Sequence, residues 1–171
     1  IRAPNLAELY SAQGQNYASA PSDPCSLRNI GSGSATRAAN CLAAGVPTTY
    51  DKVYTSSIEV ISGGNPDLNE EQSTSWTAGV QLTPSFIPGL ILSADYFDIK
   101  VKNVIASVSA QEVMDLCYDS PTLDNYYCGL FERNGNTTGP KGEEAYQILE
   151  GSLFESSANF ASMRARGVDT N

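Results

Sequence analysis

The sequence predicts an all-β chain of antiparallel strands, and three observations predict it. Residues 73–82 alternate strictly, with Thr74, Trp76, Ala78, Val80 and Leu82 on one side and Ser73, Ser75, Thr77, Gly79 and Gln81 on the other. Successive side chains of a strand point to opposite faces, so this segment is a two-faced strand. A second strand-like run, 90–102, follows after Thr83–Gly89, a connection punctuated by two prolines and a glycine. So short a join pairs the two runs antiparallel, because a parallel crossover takes about a dozen residues or more. The third observation is the length of the polar connections, 11–63 and 103–150. They are unusual in a compact soluble domain and ordinary on the outer side of a large barrel. The alternation alone fits both a soluble half-buried strand and a transmembrane barrel strand.

In chain order, 11–63 reads as irregular, with turn signals at Ser22-Asp23-Pro24-Cys25 and Gly31-Ser32-Gly33-Ser34. Thr36–Ala44 has the composition of a short helix, ended by Gly45. After the 73–82 strand, the 90–102 run is less regular. Its even side is apolar from Leu90 to Tyr96 and then charged at Asp98, Lys100 and Lys102; its odd side turns apolar from Phe97. Two explanations stand: a β-bulge near Asp95–Phe97 that swaps the faces, or an upper strand that projects beyond lipid. In 103–150, Ser109-Ala110-Gln111-Glu112 is a capping-box pattern that predicts one short helix. Thr137–Gly142 reads as a flexible tip, and 153–169 as a returning strand.

The 171 residues carry 19 acids and 10 bases, a net charge of −9. Residues 103–150 hold eight acids and two bases, whereas 72–102 and 151–171 are each neutral. Charge therefore collects in the connections, as a solvated surface or as one that favours cations. No basic stripe exists to neutralise phosphates, which disfavours nucleic acid as a partner. No apolar run approaches the about 20 residues of a spanning helix, and barrel strands need none.

Four cysteines and no histidine occur. Cys25 and Cys41 enclose 15 residues, and Cys117 and Cys128 enclose 10. These spacings suggest two local disulfides in an oxidising compartment, among the three pairings that four cysteines allow. Each would stabilise by about 3 kcal/mol in the chain-entropy picture. Without histidine, Ser-His-Asp and Cys-His catalysis is excluded. The adjacent pairs Glu70-Glu71 and Glu143-Glu144 point to opposite faces of any strand and make no matched acid and base. The chain therefore reads as a non-enzyme with no cofactor and no metal site.

Short words along the chain carry a resemblance. Ile1-Arg2-Ala3-Pro4-Asn5-Leu6-Ala7-Glu8-Leu9-Tyr10, Gly64-Asn65-Pro66-Asp67-Leu68-Asn69-Glu70-Glu71, Asp95-Tyr96-Phe97-Asp98-Ile99 and Gly167-Val168-Asp169 resemble, in order and spacing, segments of the TonB-dependent outer-membrane receptors. Asn69 and Glu70 stand where that family usually has Lys and Pro. The resemblance implies that 1–171 is a partial β-barrel domain from the C-terminal region, a fragment whose plug domain is absent. Its strands would be about 73–82, 90–102 and 153–169, with long disulfide-bearing extracellular loops and short loop helices. It also implies a bacterial outer-membrane location and energy-coupled uptake of a scarce solute: a siderophore, a cobalamin or an oligosaccharide. The partners would be outer-membrane lipid, the solute, and TonB acting through the plug. Trp76, Ala78, Val80 and Leu82 are then expected to face lipid. Tyr118, Tyr126 and Tyr127, beside the second cysteine pair, are candidates for ligand contact. The competing readings are a secreted, disulfide-stapled β domain that binds carbohydrate or protein, and a carboxylate hydrolase for which the sequence offers no site.

Overall fold

A computed structural model describes residues 1–171. In chain order its elements are α1 (Leu6–Tyr10), β1 (Gly14–Ala18), α2 (Arg37–Ala43), β2 (Ile58–Ser62), β3 (Gln72–Leu82), β4 (Leu92–Val108), α3 (Ala110–Asp119), a 3₁₀ turn at Tyr126–Leu130, and β5 (Phe154–Thr170). The strands hydrogen-bond in the order β1-β2-β5-β4-β3, and the sheet is not closed. The residues group into two compact units.

The first unit comprises 1–6, 67–106 and 158–171. Its centre is the β3–β4 hairpin, which pairs without interruption from Gln72↔Lys102 to Leu82↔Leu92. No extra residue intervenes at Asp95–Phe97, so the bulge, one of the two explanations for the change of polarity, is absent, and each face keeps its register along the pairing. On the other side of β4, Ser93 and Asn171 exchange both backbone hydrogen bonds, at 2.8 and 3.0 Å. That exchange makes them directly opposed and fixes the β5 register. Phe97 then lies opposite Gly167, and a Cβ on Gly167 would stand 2.9 Å from the Phe97 ring. Glycine here lets the ring lie across β5, the cross-strand cover that steadies a bare strand position. β3 is exposed on both faces along its whole length.

The second unit comprises 7–66 and 107–157, and it contains most of the residues expected to be irregular. β1 and β2 pair antiparallel, Gly14↔Ser62 to Ala18↔Ile58, and β2 meets the start of β5 in parallel at Ile61↔Phe154 and Ser62↔Glu155. The connection 11–63 thus folds into two strands and a helix. The connection 103–150 begins with six more residues of β4. α2 ends at Gly45, whose φ of +82° is the left-handed conformation that closes a helix with little strain for glycine. α3 starts from Ser109: its side chain accepts from Glu112 N, and the Glu112 carboxylate accepts from Ser109 N at 2.9 Å. One face of α3 is apolar, and Val113 and Met114 are fully buried with Val60, Ile148 and Leu153. Burying such side chains contributes about 1.5–3 kcal/mol each. Two disulfides, Cys25–Cys41 and Cys117–Cys128, with Cα atoms 5.5 and 4.7 Å apart, close loops within this unit.

Candidate functional site

The hairpin presents two chemically different faces. Directly opposed residues of an antiparallel pair share a face, so Trp76, Ala78, Val80 and Leu82 lie with Asp98, Tyr96, Ala94 and Leu92. The Trp76 and Tyr96 rings meet edge-on with centroids 5.6 Å apart. Trp76 is nonetheless 60% exposed, and Val80 and Leu82 are exposed too. The other face near the turn carries Gln81, Gly79, Ser93 and Asp95. The β5 register sets Asp169 opposite Asp95 there. Farther from the turn the pattern reverses: Phe97, Ile99 and Val101 occupy that second face, and Asp98, Lys100 and Lys102 the Trp76 face. Arg164 grips Asp98 with two hydrogen bonds, Nε to Oδ1 at 2.9 Å and Nη2 to Oδ2.

The second unit is organised around a charge that the sequence reading did not single out. Asp23 is completely buried. Its Oδ1 accepts from Arg133 Nη2 and from Cys25 N, each at 2.9 Å. Its Oδ2 accepts from Arg133 Nη1 and from the Tyr50 hydroxyl, also at 2.9 Å. Arg133 also donates to the Tyr118 hydroxyl at 2.8 Å and to the Tyr146 carbonyl at 2.6 Å. Its guanidinium also lies 5.3 Å from the Tyr118 ring centroid and 5.8 Å from that of Tyr50. Burial opposes the charge on Arg133 most strongly, but its hydrogen bonds to Asp23, the Asp23 charge and Tyr118 together outweigh burial and raise its pKa. Burial, then the Asp23 charge, push the Tyr50 hydroxyl upward, so it remains a protonated donor. The pair therefore ties the first disulfide at Cys25 to Tyr118, the neighbour of the second disulfide at Cys117.

This placement corrects the expectation for Tyr118. It is 2% exposed, packs against Phe131 at 6.1 Å between ring centroids, and serves as acceptor for Arg133. A tyrosine so enclosed has no surface to offer a ligand. Tyr126 is 47% exposed and stacks edge-on with half-buried Tyr127 at 5.5 Å; its hydroxyl also accepts from Asn65 at 3.1 Å.

A second, less buried ion-pair system joins α2 to α3. Arg37 donates to Asp119 at 2.7 and 2.5 Å and to Asp115 at 2.8 Å. Asn40 reaches the Tyr118 and Ser120 carbonyls at the end of α3 at 2.9 and 2.8 Å. The Arg37 hydrogen bonds hold the Asp119 carboxyl below its usual pKa. A carboxyl depressed in the folded state adds stability above its unfolded pKa and loses it as pH falls through the folded value. The thermal midpoint of this unit is expected to stay level down to about pH 4 and to fall below it. Asp119→Asn should lower the plateau and flatten that acid limb. An acid limb of the same steepness in the variant would remove Asp119 as its cause.

No group of three His, Cys, Asp or Glu side chains gathers to hold a metal. A polar cleft of about 220 Å³ lies in the second unit between Lys52–Ile58 and Lys141–Glu150. Both of its lysines are already paired, Lys52 with Glu144 at 3.1 Å and Lys141 with Glu59 at 2.8 Å.

The hairpin is exposed on both faces, apolar on one side near its turn and polar on the other, a pattern that barrel walls share. The family model described as TonB dependent receptor-like, beta-barrel matches residues 1–171, and the chain belongs to that family. The family is one of outer-membrane transport receptors, not of enzymes; it implies TonB as a partner and a small solute as ligand. Comparison with curated proteins and with solved structures returned no match.

Proposed function

We propose that the chain forms part of the wall and of the outward surface of a TonB-dependent receptor that takes up a scarce solute with energy supplied through TonB. The observation that carries this reading is the turn-proximal half of the hairpin. There one face offers hydrocarbon a row of Leu82, Leu92, Val80, Ala94 and Tyr96, while the other carries Gln81, Ser93 and the opposed carboxylates Asp95 and Asp169. Two facing carboxylates cannot sit in hydrocarbon, but a watery lumen solvates them. The Trp76 face is therefore the lipid face, and Thr83–Gly89 is the short periplasmic turn.

The long connections then emerge outside. The residues of the second unit carry 13 acids and five bases, a net charge of −8 out of the chain's −9. A surface of that sign favours neutral or cationic solutes over strongly anionic chelates. The exposed Tyr126 ring, with Tyr127 behind it, offers the contact area that an aromatic supplies at low entropic cost.

The test is growth of cells that depend on the intact receptor, with iron chelates, cobalamins and oligosaccharides supplied singly as the limiting nutrient. At least one nutrient should support growth only when both the receptor and TonB are present. Growth on every nutrient that ignores loss of TonB would leave the receptor without the proposed role.

A further inference from the structure

The polar cleft of the second unit holds two groups whose hydrogen-bonding capacity is unspent. Its walls are fixed from within. Buried Glu143 spans the Lys141–Glu150 loop: Oε2 accepts from Lys141 N at 2.8 Å and Oε1 from Glu150 N at 3.1 Å. The Tyr54 hydroxyl accepts from Ile148 N at 3.3 Å and ties that loop to the facing segment. Gln147 is 6% exposed. Its Oε1 accepts from Glu144 N at 3.1 Å, and its carbonyl accepts from Asn134 N at 2.7 Å. Its Nε2 carries two N–H donors and meets no acceptor of the chain. No fully enclosed polar side-chain atom lacks a partner, so this amide opens to the cleft that Gln147 lines. Glu150, half-buried on the same lining, has a carboxylate that accepts no hydrogen bond. A free donor and a free acceptor, three residues apart in one loop, thus border the same space.

The rest of the lining selects what can enter. Both lysines are engaged by carboxylates, so an anion finds no free cation. A metal ion finds no group of three ligands. Tyr54 and Ile58 are buried in the wall, while Thr55 and Ser56 are exposed and add hydroxyls. A neutral polyol matches this surface, because each of its hydroxyls both donates and accepts. The cleft of about 220 Å³ holds about seven waters at liquid density. Clefts that enclose drug-sized ligands run to about 300–1,000 Å³. The space therefore suits one sugar ring, not a cobalamin or an intact ferric chelate.

We propose that this cleft binds one neutral sugar ring, with Gln147 Nε2 donating to one ring hydroxyl and the Glu150 carboxylate accepting from another. The proposal rests on the reading of this unit as the outward surface of an uptake receptor, and it names the class of solute. A hydrogen bond to a charged acceptor is the stronger of the two. Loss of the Glu150 carboxylate should weaken binding about tenfold or more, and loss of the Gln147 donors by a similar or smaller factor.

The experiment is calorimetric titration of the intact receptor, in a detergent without a sugar headgroup, with maltose, cellobiose, lactose and sucrose. Glu150→Ala removes a carboxylate that bonds nothing in the chain, and its thermal midpoint should match the wild type. Gln147→Glu keeps the acceptor for Glu144 N and removes the two donors. Expected are binding of at least one disaccharide by the wild type and about tenfold weaker binding by Glu150→Ala, with a loss in Gln147→Glu as well. Binding of none of the four sugars, or equal binding by wild type and Glu150→Ala, would overturn the sugar site. Because titration needs neither TonB nor energy, that failure leaves the uptake role standing. Growth on the bound sugar that ignores loss of TonB would instead overturn the uptake role and leave the site in place.

Discussion

Arg133→Met is expected to destabilise the disulfide-stapled unit by about 3–5 kcal/mol, because it leaves the Asp23 carboxylate buried without its counter-ion. Asp23 is fully enclosed and Arg133 nearly so. Water cannot re-solvate what the substitution abandons, and the bonds from Tyr50 and Cys25 do not replace a cation. The effect should appear in the thermal midpoint and in the near-ultraviolet signal of the surrounding tyrosines. Asp23→Asn combined with Arg133→Met should cost less than the sum of the single changes, since the pair is one coupled element. The amide of Asn keeps an acceptor for Tyr50 or Cys25 and carries no charge. A loss below about 1 kcal/mol for Arg133→Met, the range of exposed pairs, would mean that the pair is solvated.

The second large effect belongs to the wall. In the intact receptor, Val80→Arg should cost about 2–4 kcal/mol when it places a guanidinium near the bilayer midplane, and Gln81→Arg much less. The two positions are adjacent on β3 and both exposed in this chain, so neither substitution disturbs a packed interior. The strand propensity lost with valine spans about 1 kcal/mol at most, so a difference of the expected size reports the solvent on each face. Folding into vesicles at graded urea concentrations measures the difference. Equal tolerance at Val80 and Gln81 would show that the two faces meet the same medium.

Much of the wall was legible because its signals are local. The Thr74–Leu82 alternation and the seven-residue join are enough to write β3 and its antiparallel partner. The Ser109–Glu112 capping box and Gly45 mark helix ends for the same reason. The change of polarity along β4 was legible as a pattern but not as a cause. With the register continuous, charge appears on the Trp76 side because the strand outruns its apolar rows, not because a bulge turns it over.

The second unit was harder to read because its order comes from contacts distant in sequence. β1 and β2 are five residues each and lie among Ser and Gly, too short for periodicity to announce. Asp23 and Arg133 are 110 residues apart, and each alone looks like a surface charge. The one local trace is Ser22-Asp23-Pro24-Cys25, read as a turn, where Asp23 does bond the Cys25 N–H. Sequence neighbours on a polar loop suggest exposure for Tyr118; its place on the apolar face of α3 buries it instead.

The most direct measurement of the barrel-wall assignment is the side of the membrane each connection occupies. Single cysteines at Gly31, Gly135 and Ser85 suit it: all three positions are exposed, and a Cβ at either glycine meets nothing within 4 Å. On whole cells, a membrane-impermeant maleimide should label Gly31→Cys and Gly135→Cys, and should label Ser85→Cys only after the outer membrane is permeabilised. Labelling of Ser85→Cys on intact cells, with Gly31→Cys and Gly135→Cys protected, would invert the topology and contradict the assignment of both faces and both connections.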